Sequence, residues 1–333
     1  MNITSQHIVN PKSRMAYSDI LRKYITLHPL NTKLRLGGDR QLLSEKIHPH
    51  KKIKFKVDDI SFHMIYCPKG EFKMRGGRNS FNLISIDDPF LFCETEVTQE
   101  LFEKVMGYNP SKFQGEEYQN SKKMPVGSVA WYDAVMFCNR LSEYFGKRPY
   151  YSISNVEYGC YIDLLKGEDS KERNHIIYAE ISIDSIANGF RLPFKNEWIY
   201  AAKAGTNNDF AGTNDPQKVG DFAWFEDNSE INDRKQTHPV KGKQPNEWGF
   251  YDMSGNMSEW VGDTVGYTND RPNRIYKEGN WHSDVHSMKN DRWARCDSSG
   301  IYEASATYNY HNGFRIASSL IDPNNKIMIM HQS

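Results

Sequence analysis

Between residues 206 and 320 the chain carries almost no helical period. Apolar side chains there do not recur at i, i+3 and i+4, and Gly, Asn, Asp and Trp are abundant, as in "PNEWGFYDMSGNMSEWVGD" (245–263). Backbone polar groups need partners, so such a stretch folds only as long loops pinned to short strands. Helices are therefore expected upstream. "WYDAVMFCNRLSEYFGK" places Ala134, Phe137, Cys138, Leu141 and Phe145 on one face, with Gly146 as the stop. Thr98 can cap a shorter helix carrying Phe102, Val105 and Met106 before Gly107, and "NEWIYAAKAG" reads as a third that ends at Gly205. "FLFCETEV" reads as a strand, and "FHMIY" and "EFKM", flanking Pro68, Lys69 and Gly70, read as a hairpin. The class is α+β with little regular structure.

Residues 1–57 differ in texture and read as an N-terminal appendage or linker, with Lys51, Lys52, Lys54 and Lys56 as a solvated strand edge. Residues 322–333 read as a tail. Lys plus Arg and Asp plus Glu both number 42, which removes the electrostatic case for nucleic acid or an anionic membrane surface. No apolar run approaches the roughly 18 residues of a membrane span. The start, "MNITSQHIVNPKSR", lacks the apolar core of a secretion signal, which leaves a cytoplasmic protein or one displayed after loss of an export segment. Cys67, Cys93, Cys138, Cys160 and Cys296 are scattered with no C-x-x-C pair, as expected of buried thiols.

Four segments now count together: "PVGSVAWYDAVMFCNRL" (125–141), "GFRLPFKNEWIYAAKAG" (189–205), "PNEWGFYDMSGNMSEW" (245–260) and "KEGNWHSD…HNGFRIA" (277–317). In this order they resemble the formylglycine-generating enzyme, or sulfatase-modifying factor, family over about residues 58–321. The resemblance implies a variant of the C-type lectin fold. It also implies a structural calcium ion, held by the side chains of Asp252 and Glu259 and the carbonyls of Gly255 and Met257. Calcium takes six to eight hard oxygens, and two carboxylates with carbonyls from a Gly turn are a suitable supply. The alternative is that Asp252 caps a turn and Glu259 pairs with an arginine, with no ion. Ser258 stands where Trp is usual, so packing beneath the turn should differ.

Catalytic members of that family oxidise a cysteine using two thiolates that hold copper. The matching positions here are Ser283 and Met288. The resemblance therefore implies no formylglycine chemistry and no copper. His282 and His286 are spaced as on one helix face, but the neighbourhood does not read as helical and no third ligand stands at recognisable spacing. Related sulfoxide synthases carry a second, helical domain, and nothing before residue 58 is long or helical enough to supply it.

The segment 277–317 also resembles the changeable C-terminal region of variable proteins diversified by retroelements, which mutate adenines in AAC-like codons. Codons ending in C or T cannot encode Lys, Gln, Glu, Met or Trp. "HSDVHS", "ARCDSSGIY" and "ASATYNYHN" contain none of these, while Met288, Lys289, Trp293 and Glu303 interrupt them like fixed framework. Small polar residues with Tyr suit adaptable recognition, although ordinary surface loops favour the same types. The expected contact set is His282, Ser283, Asp284, His286, Ser287, Arg295, Asp297, Ser298, Tyr302, Tyr308, Asn309, Tyr310, His311 and Asn312. The frame is Trp281, Trp293, Gly313, Phe314 and Arg315, and "YNYHN" fits a strand showing Tyr308, Tyr310 and Asn312 on one face. Arg191 and Arg315 are expected to hold buried carboxylates or loop carbonyls, and Glu197, Trp198, Trp248 and Trp260 to lie in the core. Phe194 replaces the usual Thr cap of the third helix, with Asn196 as a substitute. The expected function is a non-catalytic receptor for a protein or other surface ligand of variable identity, with no nucleic-acid partner and no membrane insertion. A formylglycine-generating or sulfoxide-synthase-like oxidoreductase and an invariant accessory lectin-like module are the alternatives.

Overall fold

The computed structural model describes residues 49–77, 80–161, 173–268, 271–297 and 311–320. A five-stranded sheet runs through the middle of the molecule. Its strands are β1 (Lys52–Val57), β2 (Ile60–Cys67), β5 (Phe90–Cys93), β15 (Ala317–Ser319) and β8 (Phe190–Arg191), in that spatial order. The uninterrupted apolar run "FLFC" is buried at every position, as expected for a strand covered on both faces. Its side chains divide accordingly. Leu91 and Cys93, with Met64 of β2, enter one core, and Phe90 and Phe92, with Ile65, enter the other.

Helices α1 (Gln99–Met106) and α2 (Trp131–Tyr144) fill the first core, where the Phe102 and Phe137 rings stack at 5.6 Å. On α2, Ala134, Phe137, Cys138 and Leu141 are fully buried, as the spacing requires. Helix α3 (Lys195–Lys203) fills the second core together with Val261 and Ile275 of a four-stranded sheet. That sheet has the order β13 (Trp293–Asp297), β12 (Arg271–Lys277), β11 (Ser258–Thr268), β14 (Asn312–Phe314), and β14 runs parallel to β11. Two-stranded ribbons complete the described residues: β3 (Gly70–Gly77) with β4 (Ser80–Ile86), β6 (Tyr151–Tyr161) with β7 (Arg173–Ile183), and β9 (Glu230–Ile231) with β10 (Arg234–Lys235). Beyond Lys203 the helical segments among the described residues are short 3-10 turns, such as Pro216–Asp221 and Val285–Met288, so the helix-poor reading of that half holds.

Three expectations change. Strand β1 lies inside what reads as an appendage, because lysines alternate with Ile53, Phe55 and Val57, and the last two are buried against the first core. The lysines do line the solvated edge of the sheet. Strands β2 and β3 do not form a hairpin. The turn exists, but β2 pairs with β1 and β5 while β3 pairs with β4, so the chain changes sheets there. Asn196 does not cap α3. The free amides are met from elsewhere: Phe194 N donates to Glu197 Oε2 at 2.8 Å, and Lys195 N donates to Asp263 Oδ2 at 2.6 Å. Glu197 is held in turn by Arg191, whose two terminal nitrogens donate to its two oxygens at 2.7 Å each. Cys67, Cys93 and Cys138 are buried free thiols, and burial pushes Cys93 up to about 11.

Candidate functional site

The turn that leads into β11 is built by tight backbone geometry. Asp252 and Asn256 sit at φ of 56° and 58°, and Gly255 at 107°. A Cβ on Gly255 would lie 2.3 Å from the Trp224 carbonyl, so only glycine fits. That carbonyl accepts from Asn256 N at 2.8 Å. The Asn256 amide then makes a two-bond ladder with the backbone of His238, accepting from its N at 2.9 Å and donating to its O at 3.1 Å. The His238 ring stacks on Trp224 at 3.7 Å, and Lys243 lies over the Trp224 ring. Residues 237–241 thus strap the turn, and Lys241 N donates to Asp252 Oδ2 at 2.9 Å.

Beneath the turn is a fully buried ionic centre. Arg315 donates from Nε and Nη2 to Glu259 at 2.7 to 3.0 Å, and Trp198 Nε1 donates to Glu259 Oε2 at 2.7 Å. Glu96 lies 4.0 Å from Arg315 Nη2. Neither Glu96 oxygen has a hydrogen-bond partner, and nor does Asp252 Oδ1. Burial, then the charge of Asp252, pushes the Glu96 carboxyl well above the usual range, and burial pushes Asp252 up to about 6. All four positions that the resemblance assigns to calcium, Asp252, Gly255, Met257 and Glu259, lie in this one turn and are buried. Glu259 is paired with an arginine, and Gly255 O accepts from Met257 N at 2.8 Å. Among the described residues no three His, Cys, Asp or Glu side chains group as a metal site.

The second half of the candidate site is the loop face beyond β12. Trp281 is buried, packed edge-on to Phe113 at 5.1 Å, and Phe314 and Arg315 are fully buried. Gly313 is required by contact, since a Cβ would lie 2.4 Å from the Val126 carbonyl. These frame residues stand where expected. Asn280 and Ser258, both departures from the family pattern, answer one another: Asn280 Nδ2 donates to Ser258 Oγ at 3.1 Å. Trp293 does not belong to the buried frame. It is 39% exposed, with Lys195 Nζ over its ring, because it begins the edge strand β13.

Of the expected contact residues, His282, Asp284, His286 and Arg295 are exposed, and Ser283 and Ser287 are half-buried. Asp284 also caps the short turn by accepting from Ser287 N at 2.9 Å, and Ser283 Oγ accepts from Asn280 N at 3.2 Å. Asp297 ends β13, while Ser298, Tyr302, Tyr308, Asn309 and Tyr310 lie outside the described residues. His311 and Asn312 do not project. They are 7% and 8% exposed, drawn in by the pairing of β14 with β11. The His311 ring meets Trp281 edge-on at 4.9 Å, and burial, with His282 and Lys112 nearby, pulls it down to about 3, so it is neutral.

Sequence reading missed Glu96, Trp224, His238, Asn256 and the 237–241 strap. Only Glu96 leaves a trace: carboxylates at 94 and 96 interrupt an apolar run in "FLFCETEV". Glu94 is 3% exposed and is neutralised by Lys52 at 2.5 Å and by Lys241.

A two-core lectin-like frame carrying a buried Glu–Arg turn and a polar loop face defines the class. Residues 53–320 match the sulfatase-modifying factor enzyme 1-like domain, and the chain belongs to that family. It is 34% identical over 260 residues to Chaperone protein LppX of Paenibacillus barcinonensis, covering 73% of this chain and 86% of that protein. Among solved structures it is similar to Treponema denticola variable protein 1, with 30% identity, a TM-score of 0.64, and coverage of 80% of this chain and 99% of that one. PvdO from Pseudomonas aeruginosa shares the fold at 18% identity, with a TM-score of 0.58 and coverage of 83% and 100%. No helix among the described residues is long and apolar enough to cross a membrane.

Proposed function

We propose that this chain is a non-catalytic binding protein whose loop face, within residues 277–317, is diversified by a retroelement to meet varied surface ligands. The observation that carries this reading is the division at Trp281. The framework side chains Trp281, Phe314 and Arg315 are buried, while His282, Asp284, His286 and Arg295 extend from the same segment into solvent. A rigid frame under changeable side chains keeps the entropy cost of binding low, because the loop need not be ordered anew for each ligand. The likeness to Treponema denticola variable protein 1, spanning 99% of its length, supports the reading. So do Ser283 and Met288, which cannot form a thiolate pair for copper.

A second reading is an invariant accessory module with one fixed partner, favoured by the relative named as a chaperone. Sequencing the gene with both flanks, across isolates, separates the two. The diversified reading expects a near-copy of codons 277–317 differing only where it carries adenine, beside a reverse transcriptase gene. A single invariant segment with no such copy would overturn it and leave the accessory reading.

A further inference from the structure

The turn at residues 252–259 already encloses a cation. We infer that the Arg315 guanidinium occupies the place that calcium takes in the family resemblance, and that this chain holds the turn without a metal ion. A carboxylate offers about four lone-pair sites. Three N–H groups already converge on Glu259, Arg315 Nε shared between both oxygens, Arg315 Nη2 and Trp198 Nε1, so both of its oxygens are engaged by protein donors. The rest of the guanidinium faces carbonyls. Nη2 donates to Tyr251 O at 3.1 Å and Asp252 O at 3.4 Å, and Nη1 to Cys93 O and Glu94 O at 3.4 Å each. Carbonyls and a carboxylate converging on one positive centre are the surroundings that a calcium ion would need.

The turn's own shape is also held by protein. Asp252 Oδ2 is used by Lys241 N, Gly255 O by Met257 N, and the Asn256 amide by the His238 backbone. What remains is Asp252 Oδ1, the two Glu96 oxygens and the Met257 carbonyl, short of six to eight ligands. To bind there, calcium would have to expel a guanidinium that is 0% exposed and belongs to a residue whose backbone is pinned between two paired strands, β14 on β11 and β15 on β5. The planar fork of arginine suits this role where lysine would not, because it can serve a carboxylate and several carbonyls at once.

The test uses the full chain. Its thermal midpoint is measured in excess EGTA and in millimolar calcium, with metal analysis of the purified protein. The expected result is the same midpoint in both buffers and calcium well below one per chain. A site filled at a hundred times its Kd would instead raise the midpoint by about 5–10 °C, and that outcome overturns the inference. Arg315→Gln supplies the reciprocal arm, since it removes the cation and leaves the carboxylates. Its midpoint should rise in calcium where the wild type's does not, and an Arg315→Gln protein equally stable in both buffers overturns the exchange. If that variant does not fold, the wild-type comparison decides alone.

Discussion

His311 should contribute a loss of stability in acid by an amount that its surroundings set. Its ring is buried against Trp281, near His282 and Lys112, and burial lowers it from 6.5 to about 3. The unfolded chain therefore binds a proton between pH 6.5 and about 3 that the folded chain does not. Stability from this residue is fully present above pH 6.5 and is lost as pH falls through that window. At pH 5 the unfolded state has gained 1.5 pH units of protonation free energy, about 2 kcal/mol at ~1.4 kcal/mol per unit. His50, His63 and His238 are lowered too and act in the same direction, while the raised carboxyls of Asp252 and Glu96 act in the opposite one, so the His311 contribution is read as a difference between two proteins and not from the wild type alone. His311→Phe isolates the term, because Phe keeps an aromatic ring against Trp281 and cannot titrate. Urea unfolding at pH 7.5 and pH 5 should show the wild type losing about 2 kcal/mol more than His311→Phe. Equal losses in the two proteins would refute the reasoning and place His311 in solvent, among the contact residues.

Gly313→Ala should destabilise the fold by about 2–4 kcal/mol, since its Cβ would meet the Val126 carbonyl at 2.4 Å and the Met257 side chain at 2.8 Å; urea midpoints report it. Asp263→Ala removes the acceptor that serves Lys195 N at the start of α3 and should cost about 1 kcal/mol, as loss of an N-cap does, while Asn196→Ala should cost much less. On the loop face, His282→Ala and Arg295→Ala should each leave stability within about 0.5 kcal/mol while weakening any ligand selected on this surface at least tenfold, read by titration calorimetry. A stability loss of several kcal/mol with unchanged binding would reverse their assignment.

Much of the architecture is carried by local pattern. The α2 face, the glycine stops, the burial of Cys67, Cys93 and Cys138 and the structural role of Arg191 follow from spacing and residue type, which act over a few residues. The helix-poor second half is legible for the same reason, because the absence of a period is itself local. The ordered motifs also point to the family. What local pattern cannot carry is which distant group answers an exposed need. The α3 amides are met by Asp263, 68 positions from Lys195, and the Cys93 carbonyl by Arg315, 222 positions away. Nor does a strand's alternation say which sheet it joins, so β2 and β3 were separable only in three dimensions.

The division is clearest in the segment 277–317. Sequence alone determined that the stretch between "EGNW" and "NGFR" is rich in small polar residues with Tyr and His. Only the tertiary structure decided which of them face outward. Pairing of β14 with β11 buries His311 and Asn312, and the edge position of β13 exposes Trp293, because burial belongs to the neighbours a residue acquires and not to its own chemistry.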